Sequence, residues 1–317
     1  MNFLIALQTV AVLLAMAIPG FIVSKLKLLD VDKGIKTLSV ILLYVCQPFI
    51  TANAFLNTRF DPKILVNLAF VFLITSVLMT ILIFAAHFIF TKEKNSSRRS
   101  VYAFASSLGN VGYMAIPFLQ ALTRNNPEII LYASVSLVGF NLVAWTLGCY
   151  LLSGGNKRYI SIKRAFLNLP TISFILVLPL FVLNINFLRF DNLDFINNAM
   201  ALFANMMAPI SMTILGMEFS KMKFKEIFND YAAYISCAIK LIISPLLGWC
   251  LFRLCHLFVD LSAIKLNIIT LASMPAATLV MMFGALFEAD GKAAARAVLL
   301  STLLSIITIP LSLMLLV

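Results

Sequence analysis

The stretch SSLGNVGYMAIPF, from Ser106 to Phe118, lies in the middle of an apolar segment long enough to cross a membrane. Glycine loosens a helix, and proline removes a backbone N–H and clashes with the preceding turn. Two glycines, an asparagine and a proline at this place therefore predict a helix that is broken near its centre. Irregular backbone at membrane depth is tolerated only inside protein or beside a water-filled cavity, so the break marks a candidate functional site.

The whole chain has the composition of an integral membrane protein. Of its 317 residues, 62% are hydrophobic and only 12% are charged, and the mean hydropathy is +1.01. Soluble domains carry about 25% charged residues. The five cysteines show no paired spacing, so the sequence predicts neither a disulfide framework nor a zinc site, and no cofactor is predicted.

Segments of about 20 apolar residues predict ten membrane-spanning helices. They cover residues 3–23, 35–56, 64–90, 100–122, 128–152, 170–186, 195–219, 231–255, 264–287 and 293–316. The prolines recur with nearly the same spacing in both halves, since Pro19 and Pro48 correspond to Pro179 and Pro209. The sequence therefore predicts two five-helix repeats, residues 1–157 and 158–317, within one membrane domain. Because five is odd, the second repeat would be inverted, as in secondary transporters.

Basic residues indicate the orientation of the chain. Most of the 24 Lys and Arg residues fall in the odd-numbered connections between the predicted spans. The positive-inside rule then places these connections in the cytoplasm and both termini on the non-cytoplasmic side of the cell membrane. This arrangement in a lipid bilayer accounts for the net charge of +11, and no nucleic acid partner is predicted.

A second candidate break, SMPA from Ser273 to Ala276, lies in the predicted ninth span, at the place that SLGN occupies in the fourth. Two half-helices that cross there would aim N-terminal dipole ends at a shared cavity, which suits a carboxylate. Glycine and proline are common in membrane helices, so one kink alone would indicate little. Two corresponding breaks flanked by polar residues favour a binding site, which would include Gly109, Asn110, Ser273, Pro275 and Thr278.

The motif GNVGYMAIPFL, residues 109–119, resembles the fourth-span pattern of the auxin efflux carrier family. SMP at Ser273, followed by LFEADGKAAARAVLLSTLLSIITIPL, resembles the ninth and tenth spans of that family. The resemblance extends in weaker form across all ten spans. It implies an all-α fold like that of the bile-acid sodium symporters, with ten transmembrane helices in two inverted repeats. Broken helices four and nine would cross within a transport subdomain that faces a scaffold subdomain.

The resemblance also implies roles for individual residues. Asn110 matches an asparagine that contacts the substrate carboxylate in the plant carriers, and Gly109 stands where those carriers have proline, so the break here would be more flexible. Thr51 matches a small hydroxyl residue near the substrate. Asn141 matches a glutamine that supports the site.

Charged residues are nearly absent from the predicted spans. All 13 Asp and Glu residues lie in loops or at span ends, which disfavours the cation–proton exchange that midplane carboxylates perform. A sodium site built from carbonyl, hydroxyl and amide oxygens stays open. Lys240 is the one charged residue well inside a span. Either it lies at the site and favours an anionic substrate, or its helix begins near Lys225 and the side chain snorkels toward an interface.

These features predict a secondary transporter rather than an enzyme. The resemblance supplies the substrate class, small organic anions such as malate or malonate, moved by alternating access. The alternative is a proton- or sodium-coupled symporter of a bile-acid-like or auxin-like anion. A membrane enzyme would need a convergent nucleophile, acid or metal set, which the sequence lacks, and a channel is a third, less favoured class. The coupling ion, the direction of transport and a homodimeric state are left open.

Overall fold

The computed structural model describes residues 2–185 and 194–317, apart from the side chains of Asp194 and Phe224. Residue 186, the predicted end of the sixth span, lies outside them. The described residues form helices and no strand. We number the main helices in chain order as α1 (Phe3–Lys25), α2 (Val31–Leu56), α3 (Pro62–Lys92), α4 (Ser96–Ser107), α5 (Val111–Thr123), α6 (Pro127–Leu152), α7 (Lys157–Val182), α8 (Phe195–Lys221), α9 (Tyr231–His256), α10 (Ser262–Ser273), α11 (Leu279–Leu286) and α12 (Gly291–Leu316).

Eight of the described helices are long and apolar enough to cross a membrane, namely α1, α2, α3, α6, α7, α8, α9 and α12. The other two predicted spans, 100–122 and 264–287, are each divided into two shorter helices, α4 with α5 and α10 with α11. The chain thus has the helices of a multi-pass membrane protein, and a break is present at both predicted places. The inverted relation between residues 1–157 and 158–317 stays a prediction.

Short polar side chains begin many of the helices. The Asn95 side-chain oxygen accepts hydrogen bonds from the N–H groups of Ser97 and Arg98 at the start of α4. Asp290 accepts a hydrogen bond from the N–H of Ala293 at the start of α12. Such caps satisfy backbone donors that the first turn of a helix leaves unpaired. They fix where α4 and α12 begin.

Helix α7 begins earlier than the predicted sixth span, which starts at residue 170. A turn at Lys157 leads into a short helix, Ile162–Phe166, and Asn168 then caps the apolar part, Leu169–Val182. The predicted boundary marks only this apolar part. It misses the preceding turns because their basic residues lower the local hydropathy, although they still form helix.

Three wide, π-helical turns lie just before a proline. Proline lacks a backbone N–H and its ring clashes with the carbonyl one turn earlier, so a wider turn lets the helix continue past it. The turn in α9 contains Lys240. The three turns and their prolines are Leu42–Cys46 with Pro48, Val111–Ala115 with Pro117, and Ile239–Ile243 with Pro245.

Helices α1, α2, α7 and α8 pack as one group, which we call the panel. Helix α1 runs along α8, and α2 packs against α7 and α8. The backbones of α1 and α8 touch, because a Cβ at Gly20 would overlap the carbonyl of Thr213 and a Cβ at Gly216 would overlap that of Ala17. Small residues permit this close approach between membrane helices.

The remaining helices, α3–α6 and α9–α12, form a second group, which we call the core bundle. Helix α3 packs against α4, α6 and α9, and α12 packs against α4, α9, α10 and α11. Contacts of α1 with α12 and of α2 with α6 join the bundle to the panel. Both helix breaks lie inside the core bundle, where Leu108, Met274 and Ala276 are fully buried.

Candidate functional site

The two breaks meet and hydrogen-bond to each other through their backbones. The Asn110 N–H donates to the Pro275 carbonyl oxygen over 2.8 Å, and the Ala277 N–H donates to the Leu108 carbonyl oxygen over 2.9 Å. The pairing is a single antiparallel bridge between Gly109 and Ala276. Backbone groups that leave the helical ladder inside a membrane protein need such partners. We call this bridge and its neighbours the crossing.

The α4–α5 break is a tight turn. Leu108 is extended, with φ −93° and ψ 117°, and Asn110 has φ −75° and ψ 70°. These angles at Asn110 are those of an inverse γ-turn, and the Val111 N–H donates accordingly to the Gly109 carbonyl oxygen over 2.8 Å. Helix α5 starts directly after this turn, so its free N–H groups lie at the crossing.

The α10–α11 break owes its shape to proline. Met274 has φ −64° and ψ 145°, which is the extended conformation expected of a residue that precedes proline. The Ala276 N–H donates to the Ser301 side-chain oxygen on α12 over 3.0 Å. A side chain of a neighbouring helix therefore supports this break.

Lys240 lies at the crossing and is only 2% exposed. Its Nζ donates to the Ala272 carbonyl oxygen over 2.9 Å and to the Ser244 side-chain oxygen over 3.0 Å. The Ser244 hydroxyl also donates to the Ala272 carbonyl over 2.8 Å. The Lys240 amine thus binds the last turn of α10, where the carbonyl groups at the end of a helix accept hydrogen bonds. The snorkelling alternative disagrees with this geometry, because the ammonium group is held inside the bundle.

Gly109 lies where Lys240 and α10 come close to α4. A Cβ at Gly109 would lie 3.1 Å from the Leu271 carbonyl oxygen and 3.3 Å from both Cε and Nζ of Lys240. A side chain at residue 109 would therefore fit only if Leu271 and Lys240 shifted slightly. Among the carboxylate side chains that the structure describes, none forms an ion pair with Lys240.

The other residues predicted at the breaks have weaker links to the crossing. Asn110 is 4% exposed, and its side chain does not cap α5, the helix that it precedes. The Ser273 hydroxyl donates to the Ile269 carbonyl of its own helix over 2.7 Å. Thr278 is half-buried and begins α11 without a side-chain cap.

Two predicted residues lie on other helices. Thr51 of α2 is buried, and its hydroxyl has no hydrogen-bond partner among the described residues. The Asn141 side chain of α6 donates to the Asn168 side-chain oxygen on α7 over 3.0 Å, so its hydrogen bond connects the bundle with the panel. The structure therefore joins Asn110 and Pro275 by a hydrogen bond and places Lys240 against Gly109. No hydrogen bond links Thr51 or Asn141 to these four residues.

Ser244 and Ser301 support the crossing but are not among the residues predicted from the sequence. Ser244 lies four residues after Lys240, so the two share a helix face. From the sequence alone, this spacing could have identified Ser244 as a neighbour of Lys240. Ser301 has no such signal in the sequence, because its role depends on the packing of α12 against the second break.

A separate ionic cluster ties together the ends at which α4, α9 and α12 begin. One carboxylate oxygen of Asp230 accepts hydrogen bonds from Tyr102 over 2.6 Å, from Arg98 over 2.8 Å and from Arg296 over 3.1 Å. Burial by itself would raise the pKa of Asp230, but these hydrogen bonds and the two guanidinium charges outweigh it, so its pKa lies below the ordinary value. We call this group the Asp230 cluster.

The described residues contain no group of three or more His, Cys, Asp or Glu side chains that could hold a metal ion. A sequence model for membrane transport proteins matches residues 5–313. The chain belongs to this family, the auxin efflux carriers. Members of the auxin efflux carrier family are membrane transporters, and the eight long apolar helices of this member agree with a multi-pass membrane protein. No curated protein matches the chain.

Proposed function

We propose that this auxin efflux carrier family member is a secondary transporter of small organic anions such as malate or malonate. The observation that carries the proposal is Lys240, which is buried at the crossing of two broken helices and forms no ion pair with any carboxylate side chain that the structure describes. An isolated charge inside a membrane protein is costly and marks a functional site by default. A carboxylate substrate would supply the missing negative charge.

The neighbours of Lys240 fit the same role. The start of α5 offers backbone N–H groups and the positive end of a helix dipole, and Asn110 adds an amide at that position. Substrate sites of transporters built from discontinuous helices lie at such half-helix ends. In this proposal Gly109, Asn110, Pro275 and Lys240 form the site, Ser273 and Thr278 border it, and Thr51 and Asn141 support it.

The proposed architecture is ten membrane crossings in two inverted repeats, with both termini on the non-cytoplasmic side. Two helices interrupted at corresponding places support it. Transport would proceed by alternating access, with the core bundle moving against the panel. An exported monoanion gains about 2.3 kcal/mol per 100 mV of inside-negative potential, so export would need no coupled ion. The proposal includes no catalytic residue, metal or cofactor.

The test is transport by the purified protein in liposomes. We expect saturable uptake or exchange of radiolabelled malate or malonate, together with an electrical current if net charge moves. Asn110→Ala should lower transport about tenfold or more, because an amide donor to the carboxylate is lost. Asn67→Ala is the matched control, since Asn67 is a buried asparagine whose amide donates to Tyr132 instead.

The outcomes separate the alternatives. Equal loss in Asn110→Ala and Asn67→Ala would mean that Asn110 acts only on stability and would contradict its proposed role. Transport that requires a sodium or proton gradient and prefers a bile acid or indole acetate would favour the symporter alternative. Absence of both current and radiolabel exchange across these acids would overturn the organic-anion assignment.

A further inference from the structure

The first part of α7, residues 157–168, lies at the end of a membrane crossing. It follows α6 after the turn at residues 153–156 and leads into the apolar part of α7, Leu169–Val182. That apolar part has 14 residues and is about 21 Å long, which is shorter than the hydrocarbon core of a bilayer, about 30 Å. A span this short places residues 157–168 at the boundary between hydrocarbon and lipid headgroups. We call residues 157–168 the basic segment.

The basic segment carries a positive charge that no neighbouring acid balances. Its charged side chains are Lys157, Arg158, Lys163 and Arg164, and it contains no Asp or Glu. Each of the other four predicted cytoplasmic connections contains at least one Asp or Glu besides its basic residues. Among the carboxylate side chains that the structure describes, none forms an ion pair with the four cations. All four residues are exposed, so their charges are free to bind an anion.

The basic segment also exposes large apolar side chains between its cations. Ile162, Leu167 and Tyr159 are 62%, 59% and 52% exposed. Exposed apolar side chains that alternate with basic ones are typical of a segment in the plane of a membrane surface. The apolar side chains then enter the acyl region, while the cations remain at the level of the headgroups.

Contacts with the core bundle hold the basic segment in place. The Ser161 N–H donates to the Trp145 carbonyl oxygen on α6 over 3.0 Å. The Arg164 guanidinium lies 5.4 Å from the centre of the Trp145 ring, and the Tyr159 ring packs edge-on against that of Phe287 at 5.2 Å. A ligand that binds the basic segment therefore does not have to order a free loop first.

We propose that the basic segment is a binding site for anionic phospholipids of the cytoplasmic leaflet, in the orientation proposed for the chain. The lipid phosphate accepts hydrogen bonds from Lys157, Arg158 and Lys163, and Ile162 and Leu167 contact the acyl chains. The occupant is a lipid, because the segment offers cations for a headgroup and apolar side chains for hydrocarbon. The inference is independent of the transported substrate, since no residue of the crossing takes part.

The experiment follows the melting temperature of the protein, purified in an uncharged detergent, while a lipid is added. Phosphatidylglycerol and phosphatidylcholine with the same acyl chains are compared, and native mass spectrometry counts the bound lipids. Phosphatidylglycerol should give half-maximal stabilisation at a concentration about 30-fold or more below that of phosphatidylcholine, whose choline cation cancels the phosphate charge. Inorganic phosphate, which lacks acyl chains, should not stabilise the protein at these concentrations.

The double substitution Lys157→Gln with Arg158→Gln removes two exposed cations from the basic segment. The phosphatidylglycerol concentration for half-maximal stabilisation should rise about 25-fold, about fivefold for each cation, while the phosphatidylcholine value should not change. Lys92→Gln with Lys94→Gln is the matched control. It removes the same charge at exposed positions of another predicted cytoplasmic connection, and it should leave both values as in the wild type.

Two single substitutions separate the parts of the basic segment. Lys163→Gln lies in the short helix and not in the turn at Lys157, and it should raise the phosphatidylglycerol value about fivefold. Ile162→Ala should raise the values of both lipids by the same factor, because it removes apolar area and no charge.

The outcomes decide both the site and its occupant. Equal stabilisation of the wild type by the two lipids, or an equal loss in the Lys92 and Lys94 double variant, would overturn the basic segment as a lipid site. Stabilisation by inorganic phosphate that is lost in the Lys157 and Arg158 double variant would replace the lipid with a soluble anion. None of these measurements depends on transport, so failure of the organic-anion assignment would leave the lipid site standing.

Discussion

Both helix breaks interrupt a segment long enough to cross a membrane, but different residues form and support them. The α4–α5 break spans three residues and turns at Gly109 and Asn110, and its backbone bonds go to the other break. The α10–α11 break spans five residues, turns at Pro275, and is also held by Ser301 and, through α10, by Lys240. The first break depends on the absence of a side chain, whereas the second depends on side chains from α9 and α12.

This difference predicts how each break should respond to mutation. Bulk added at the first break should displace its neighbours, because Gly109 has no free space around it. Loss of Ser301 near the second break should leave the Ala276 N–H unpaired, whereas the Ala272 carbonyl at the end of α10 accepts from both Lys240 and Ser244 and would keep one donor if either were lost. Four experiments test this contrast, in order of decreasing effect.

The largest effect is expected for Lys240→Met. The substitution keeps a long side chain and removes the charge, so anion transport should fall about 10- to 100-fold, equivalent to about 1.5–3 kcal/mol for a lost charged hydrogen bond. Folding should persist, since an apolar group replaces an unpaired buried charge. Transport rates and melting temperature measure the two effects. Lys63→Met, at an exposed position, is the control, and undiminished anion transport by the Lys240 variant would refute the role of its charge.

A smaller effect is expected when Gly109→Ala is compared with Pro275→Ala. The new Cβ at residue 109 would crowd Leu271 and Lys240, and such overpacking costs about 1–3 kcal/mol. Alanine at residue 275 keeps the carbonyl that accepts from Asn110 and loses the conformational restriction that the proline ring imposes, so it should cost less than about 1 kcal/mol. Free energies of unfolding in detergent give both values. If both variants lose the same free energy of unfolding, the first break is no more sensitive to added bulk than the second is to loss of its proline.

Ser301→Ala should have the next largest effect. It removes the acceptor for the Ala276 N–H and should lower the free energy of unfolding by about 1 kcal/mol. Ser305→Ala is a close control. Ser305 is equally buried on the same helix, but its hydroxyl donates to the carbonyl of Thr302 within α12 and not to the break. If the two variants lose the same stability, the second break does not depend on Ser301.

The smallest effect concerns pH and the helix that leads into the first break. The pKa of Asp230 lies below its ordinary value of 3.8, so its ionised form stabilises the fold at higher pH, and this contribution is lost as the pH falls from 3.8 through the lower pKa of the folded state. Melting temperatures from neutral pH down to about pH 2 should show this loss in the wild type, and Asp230→Asn should lack that part of the pH dependence. An identical pH profile in both proteins would argue against the cluster as an anchor of α4.

Much of this fold could be predicted from the sequence because its signals are local. Apolar length gives the long helices, and the glycine at 109 and the proline at 275 give the two breaks. The start of helix α7 was harder to predict from the sequence, because its first turns are helical but contain basic residues and are not apolar. The resemblance to auxin efflux carriers is confirmed by the family match. No local sequence pattern identifies the substrate or the coupling ion.

The candidate site was predictable only in part, for a physical reason. Sequence spacing shows which residues share a helix, but it does not show which helices lie side by side. Lys240 therefore allowed two interpretations until its ammonium group was found on the carbonyl of Ala272, 32 residues away. Ser301 was missed for the same reason, because it supports a break in another helix.

The glycine contact between α1 and α8 has a consequence for the surrounding lipid. Because the two backbones touch at Gly20 and Gly216, no acyl chain fits between them. At the level of these two glycines, the seam between α1 and α8 is closed to hydrocarbon. A water-filled path that opened behind the seam at this level would be shielded from the acyl chains by the two touching backbones.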